Sequence, residues 1–275
     1  MVAPNAAPAL IPTMLAAIHS GLTAPRLLLT LAQPSSLPGA RARMPAMKIQ
    51  LLNRAQPAYN DEFMEAMAQA YLQRTPWTQL RLAAVEDLVE PRTGDRVVDL
   101  GCAAGAITHF LSGFGCNVVG VDLEERAVRK ASSLFPALHF EQANVTKLPF
   151  PADSFDKAVA ADLVEHLDDE TFAKMLGECR RVLVAGGTLS VYTPNPRHLV
   201  ERLKARELLL AQNVTHIGLR HAEALAAAFE GAGFAVDRKE WRPSFFRGLR
   251  SLERLAGPRF ELFRYRLCIR GRAHA

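Results

Sequence analysis

The 275-residue chain has only four cysteines, Cys102, Cys116, Cys179 and Cys268, and no two of them form a C-x-x-C pair. Their scatter argues against a zinc ribbon or a disulfide framework and points to reduced thiols in a cytoplasmic protein. No apolar run is long and unbroken enough to span a bilayer, and a composition of 49% apolar and 22% charged residues is that of a soluble globular protein. Internal repeats are absent. Acidic residues are missing from residues 1–46, which hold seven of the 17 prolines and three arginines. Pro8 and Pro12 interrupt the first apolar run there, which disfavours a secretory signal. A disordered extension is expected over 1–46, with Met44 or Met47 as the true start.

The net charge of +5 is unevenly spread. From Arg238 onward there are eleven Lys/Arg and three Asp/Glu, a balance of +8, so the remainder carries 5 − 8 = −3. A basic tail on an otherwise acidic chain does not indicate a general nucleic-acid binder. Solvated surface charge is the ordinary explanation of the tail.

Beyond residue 59 the pattern becomes periodic. Thr75-Pro76 opens a helix, and Trp77, Leu80, Ala84 and Leu88 recur along one face. Short apolar strands are predicted at 96–100, 117–122, 138–140, 155–161 and 188–192. Phe172, Met175, Leu176, Cys179, Val182 and Leu183 make a helical stripe between the last two. A sixth strand is expected at 234–241 and a seventh at 264–270. Strand and helix alternating in steps of about 30 residues predict a doubly wound α/β fold, Rossmann-like and mostly parallel, with helices on both faces.

In such a sheet ligands bind at the carboxyl ends of the strands. The first strand runs into Asp99-Leu100-Gly101-Cys102-Ala103-Ala104-Gly105, where Gly101 and Gly105 allow a sharp turn. The second ends at Asp122, placed to accept hydrogen bonds from a ribose diol. This spacing lacks the G-x-G-x-x-G of a dinucleotide site, and Asp99 would repel a pyrophosphate while suiting a cationic α-amino group. An amino-acid nucleoside is therefore favoured over NAD.

These segments resemble, in order, those of the class I S-adenosylmethionine-dependent methyltransferases. The match begins at Val97-Val98-Asp99-Leu100-Gly101-Cys102-Ala103-Ala104-Gly105 and continues through Gly120-Val121-Asp122. It takes in residues 148–156, Leu163-Val164-Glu165-His166-Leu167 and residues 181–187, and ends at Gly231-Ala232-Gly233-Phe234. It is most similar to the small-molecule branch that includes ubiquinone- and menaquinone-type enzymes. The resemblance implies a seven-stranded sheet with an antiparallel last strand. It also implies one domain over 47–275: a helical cap at 47–91, a cofactor-binding half at 92–193 and a substrate-side half at 194–275. S-adenosylmethionine would be held by Asp99, Gly101, Ala103, Gly105, Asp122, Leu123, Asn144, Val145, Asp162 and Leu163. Two positions depart from the family pattern. Ala103 replaces a second glycine, which is tolerable if its backbone angles are ordinary, and Asn144 replaces an Asp beside the adenine.

The implied reaction moves a methyl group from the sulfonium to a small-molecule acceptor by in-line displacement, driven by positioning. An NAD-dependent oxidoreductase and a catalytically inactive cofactor-binding homologue are the competing readings. No metal is required, and no ligand cluster appears in the sequence. His166, just after the fourth strand, and His216, before the helix at 221–230, are the candidate bases. His109 and His139 are expected to pack, and Cys102 to fill space. Asn195, Arg197 and His198 follow the fifth strand and are expected to contact the acceptor.

Residues 243–258 place Phe245, Phe246, Leu249, Leu252 and Leu255 at helical spacing among Arg247, Arg250 and Arg254. Either the apolar stripe packs on the core and the arginines are solvated, or the face makes a peripheral membrane contact or covers a hydrophobic acceptor.

Overall fold

The computed structural model describes residues 61–206 and 215–274. The expectation for residues 1–46 therefore lies outside the described residues. Eight helices and seven strands are described: α1 (Asp61–Leu72), α2 (Pro76–Val89), β1 (Arg96–Leu100), α3 (Ala106–Ser112), β2 (Asn117–Asp122), α4 (Glu125–Leu134), β3 (His139–Gln142) and β4 (Phe155–Ala161). There follow α5 (Asp169–Val182), β5 (Leu183–Pro194), α6 (Leu199–Ala205), α7 (Ala222–Gly231), β6 (Phe234–Arg242), α8 (Arg247–Ala256) and β7 (Arg266–Ala273). Among the described residues no helix is long and apolar enough to cross a membrane.

All seven strands form one sheet in the order β3-β2-β1-β4-β5-β7-β6. Strands β1 to β5 pair in parallel, and β7 runs antiparallel to both β5 and β6. The doubly wound expectation is met, and the antiparallel last strand is the one wedged between β5 and β6. Val97, Val98, Leu100, Val121, Ala158, Val159 and Ala160 are buried. Helices cover both faces of these strands, which explains why they read as continuous apolar runs.

Local signals placed the elements well. Thr75 caps α2 by accepting from the Thr78 N–H, with Pro76 in the first turn. Asp168 caps α5 by accepting from the Thr171 N–H, and the predicted stripe Phe172, Met175, Leu176, Cys179 and Val182 is buried. The face of α2 differs from the sequence reading. Thr78, Ala84, Val85, Leu88 and Val89 are its buried residues, while Trp77 turns toward a cleft at the top of the sheet.

The chain leaves β1 toward β2 and β3, then returns to lay β4 on the opposite edge of β1. The switch point thus lies between the carboxyl ends of β1 and β4, where ligands of open α/β sheets bind.

Candidate active site

The turn after β1 is built almost entirely from main chain. Gly101 and Gly105 have φ of 69° and 80°. A Cβ at Gly101 would stand 2.8 Å from Leu163 Cδ1, so glycine is required there both by conformation and by the neighbouring turn after β4. Ala103 also lies in the left-handed region, with φ of 48°. Its backbone angles are not ordinary, and the alanine strains the turn where the family pattern has glycine. The strain is held from the next strand: the Ala103 N–H donates to Asp122 Oδ2 at 2.9 Å, and the Glu124 N–H donates to Oδ1 at 3.0 Å.

Asp99 lies under this turn, 1% exposed, and its Oδ2 accepts from Thr108 Oγ1 at 2.7 Å. Burial pushes its pKa up to about 7, against the opposing effects of the Thr108 hydrogen bond and the Arg81 charge. Burial likewise raises Asp122. Asp99 and the turn residues Gly101 to Ala104 line an open cleft of about 490 Å³, closed on its other side by Met67, Tyr71, Trp77 and Arg81. Arg81 is held by Asp162 and the Ala161 carbonyl, at 2.7 and 3.0 Å. One wall of the cleft therefore carries a carboxylate, the other a guanidinium.

Of the other expected cofactor contacts, Leu123 projects from the end of β2 at 60% exposure, next to Asp122. Val145 is buried and Asn144 exposed. The Asn144 Oδ1 accepts from both the backbone N–H and the hydroxyl of Thr146, at 2.9 and 2.8 Å, so this oxygen shapes its own turn. Leu163 packs against Gly101. Asp162 directly follows β4. Its carboxylate is committed to Arg81 and to Arg266, whose Nη1 donates to Oδ1 at 2.7 Å. Burial raises its pKa, but the two guanidiniums outweigh that effect and hold it below the usual range.

Beyond β4, tertiary structure brings together residues that are distant in sequence. Candidate ligand atoms of Glu165, His166 and His216 all lie within 4.8 Å of one another, a cluster that the sequence reading did not contain. Glu165 is buried, accepts from Thr193 Oγ1 at 3.0 Å, and is raised in pKa by burial and by Asp162. His166 Nδ1 is 3.1 Å from the Thr215 carbonyl, and the two imidazoles stand edge to face at 5.0 Å. Burial lowers both, His216 to about 4. Arg220 fixes this approach by donating to the carbonyls of Val164, Leu167 and Gly218.

Asn195, Arg197 and His198 do not line the cleft that holds Asp99 and Arg81. Asn195 Nδ2 donates to the Arg264 carbonyl at 2.8 Å, Arg197 pairs with Glu261 at 2.7 Å, and His198 caps α6 and faces Glu253 at 3.1 Å. Two prolines bend this loop inward, so its polar groups tie β5 to the C-terminal segment instead of facing a ligand. His109 stacks on Phe135 with 4.3 Å between ring centroids but remains exposed, so it packs on one face alone. His139 does not: it sits on the edge strand with a 66% exposed side chain. Cys102 is buried and its thiol pKa is pushed up by that burial, which suits a filler and not a nucleophile.

Arg81 was missed, yet it had a signal. It lies on the spacing 77-81-84-88, a charge in line with an apolar stripe. Arg220 and Arg266 had none, since the partners that give them their roles, the turn after β4 and Asp162, are more than 45 residues away.

An open cleft beside the glycine turn after β1, with an acid at the end of β2, has the features expected of an S-adenosylmethionine-binding transferase. Residues 97–187 match the family described as a methyltransferase domain. A Mycobacterium tuberculosis protein described as a "probable S-adenosylmethionine-dependent methyltransferase" is 34% identical over 119 residues, 43% of each chain. Human mitochondrial ubiquinone biosynthesis O-methyltransferase is 31% identical over 119 residues, 40% of this chain and 31% of that one. Among solved structures, a Haemonchus contortus phosphoethanolamine N-methyltransferase in complex with S-adenosyl-L-methionine shares the fold. Its TM-score is 0.59 at 17% identity, over 79% of this chain and 58% of that one. The first curated relatives are matched over 43–60% of their own length. Residues 97–187 are thus similar to the methyltransferase domains of S-adenosylmethionine-dependent enzymes.

Proposed function

We propose that the protein transfers a methyl group from S-adenosylmethionine to a small-molecule acceptor of hydrophobic character. The observation that carries this reading is the opposition of Asp99 and Arg81 across the cleft, beside a glycine turn tethered to Asp122. A buried carboxylate and a guanidinium suit the two charges of an amino-acid zwitterion, and the acid at the end of β2 suits a ribose diol. Leu123 and Val145 would flank the adenine, with Asn144 at its edge.

In the reaction the acceptor atom forms a bond to the methyl carbon as the carbon–sulfur bond breaks, leaving a neutral thioether. His166 would take the acceptor's proton. With its Nδ1–H donated to the Thr215 carbonyl, Nε2 is the basic nitrogen, and burial keeps the ring neutral. His216 would orient the acceptor beside it. The Glu165–His166–His216 cluster favours a second reading, in which a divalent cation held there polarises an acceptor oxygen. The four buried free thiols support a cytoplasmic enzyme.

Calorimetric titration with S-adenosylhomocysteine and with NAD tests the cofactor. Binding of S-adenosylhomocysteine is expected, and binding of NAD alone would overturn the reading. Labelled donor incubated with cell extract then reports the acceptor, whose labelled product should partition into organic solvent. Loss of transfer on adding a chelator, restored by a divalent cation, would select the second reading over the histidine base.

A further inference from the structure

Helix α8 is turned inside out relative to its sequence pattern. Its one acidic residue, Glu253, is 0% exposed and lies 3.1 Å from His198 Nε2, while its Oε2 accepts from the Ser244 N–H at 2.5 Å. At the end of the helix, Gly257 sits so close to Trp241 that a Cβ there would meet the indole at 2.6 Å. The Arg264 Nε donates to the Gly257 carbonyl at 2.8 Å. The helix is therefore clamped in one rotation, and that rotation leaves Leu249 half-buried and sends Leu252 and Leu255 outward. Leu252 and Leu255 are 38% and 82% exposed, and Phe246 and Phe260 at its two ends are 46% and 58% exposed. Of the expected stripe, Phe246, Leu252 and Leu255 do not pack on the core, while Phe245 and Leu249 are half-buried.

From Gly248 to Phe260 the exposed charges are arginines, and Glu261 beyond them is paired with Arg197. Arg254 and Arg259 are exposed, and among the described residues neither has a carboxylate partner. Other tail arginines are occupied elsewhere: Arg238, Arg242 and Arg270 pair with acids of α2 and β6, and Arg272 pairs with Asp237 of β6. With Glu253 turned inward, the ridge shows leucine, phenylalanine and arginine.

We infer that α8 and its flanking phenylalanines form a docking face for an anionic lipid bilayer. A second copy of the chain fits poorly, because a two-fold contact through this ridge would set arginine against arginine. A leucine that is four-fifths exposed on a convex helix needs no matching groove in a fluid interface. Leu255 and Phe260 can enter the acyl boundary while the arginines meet lipid phosphates. The inference does not depend on the methyl-transfer reading, since its test reads binding alone.

The test is co-sedimentation of the full chain with vesicles of phosphatidylcholine alone or mixed with phosphatidylglycerol. The protein should pellet with the mixed vesicles, less so as salt is raised, and weakly with phosphatidylcholine. Leu255→Ser with Phe260→Ser should reduce the partition coefficient by on the order of tenfold or more. Arg254→Gln with Arg259→Gln should remove most of the preference for anionic vesicles. All four side chains are at the surface, and unchanged S-adenosylhomocysteine affinity or circular dichroism would show that the variants fold. No pelleting at low ionic strength, or equal pelleting by the serine variant, would overturn the inference. So would a concentration-dependent dimer that dissociates in that variant, because the ridge would then be an interface between copies.

Discussion

From β1 to β3 the site is made of main chain; from β4 to β7 it is made of paired side chains. On the first side, turns of left-handed backbone, a tethered amide at Ala103 and two strand-end acids within 25 residues make the pocket. On the second, Arg81 from α2 and Arg266 from β7 converge on Asp162 across separations of 81 and 104 residues, and His216 is carried to His166 by a loop that Arg220 ties down. The difference teaches how each side can fail. A backbone-built pocket is sensitive to any added Cβ, whereas a pocket of ion pairs is sensitive to the loss of one charge.

Gly101→Val should give the largest effect. It combines φ of 69° with a contact inside van der Waals distance of Leu163. Together these amount to at least about 3 kcal/mol of strain, enough to abolish detectable S-adenosylhomocysteine binding in a titration. If Leu163→Ala restored binding to this variant, the contact alone would matter and the backbone argument would fail.

Arg266→Met tests the other side. It leaves the Asp162 carboxylate with one guanidinium instead of two, in a pair whose side chains are 12% and 21% exposed. Denaturant unfolding should show a loss of about 3 kcal/mol, the low end for breaking a buried pair. A change below about 1 kcal/mol would place this network with ordinary surface pairs.

Asp122→Ala sits between the two regimes, being a side chain that holds a main chain. S-adenosylhomocysteine affinity should fall by about 1–3 kcal/mol, the range for hydrogen bonds to a charged group. Unchanged affinity would move the ribose site elsewhere.

Asp99 makes the comparison pH-dependent. Its folded pKa, raised by burial to about 7, lies above the unfolded value. The ligand-free fold therefore holds its proton longer than the unfolded chain does. This group's contribution to stability falls as pH rises from about 4 to about 7, and then levels off. A cationic amino group favours the ionised carboxylate, so S-adenosylhomocysteine affinity should rise about tenfold between about pH 6 and pH 8. Calorimetry in buffers of different ionisation enthalpy should show proton release on binding near the lower pH. Asp99→Asn should remove most of that dependence, and a flat profile in the parent protein would contradict the assignment.

Ala103→Gly should have the smallest effect. Relief of a left-handed alanine, worth about 1–2 kcal/mol, is offset by about 0.5–1 kcal/mol of added chain entropy in the unfolded state. A gain below about 1 kcal/mol in thermal unfolding is expected, with binding retained.

Much of the fold was legible beforehand because its signals are local. Strands 96–100, 117–122 and 155–161 have the bounds that the apolar runs suggested, and Thr75 and Asp168 cap their helices within four residues. β5 is longer than its reading of 188–192, running Leu183–Pro194, because pairing with both β4 and β7 extends it past its apolar centre. The site was legible to the same extent. Asp99, Gly101 and Asp122 lie on strands and turns whose own sequence places them. The internal partners of Asn195, Arg197 and His198 were not legible, because a proline-rich loop predicts irregular backbone but not the direction in which its side chains point.

The sequence by itself determined the order of strands and helices, the glycine turn after β1 and the acids that flank it. Each depends on backbone preference and on apolar spacing over a few residues. Only the tertiary structure decided which charges meet. The Asp162 carboxylate is a tether because β7 returns beside β5 and brings Arg266 to it. Glu165, His166 and His216 share a site because Arg220 folds the 215–221 loop back onto the turn after β4. Leu252 and Leu255 of α8 face outward because the buried pairing of Glu253 with His198 fixes the rotation of the helix, and a hydrophobic pattern alone does not choose between the core and a partner.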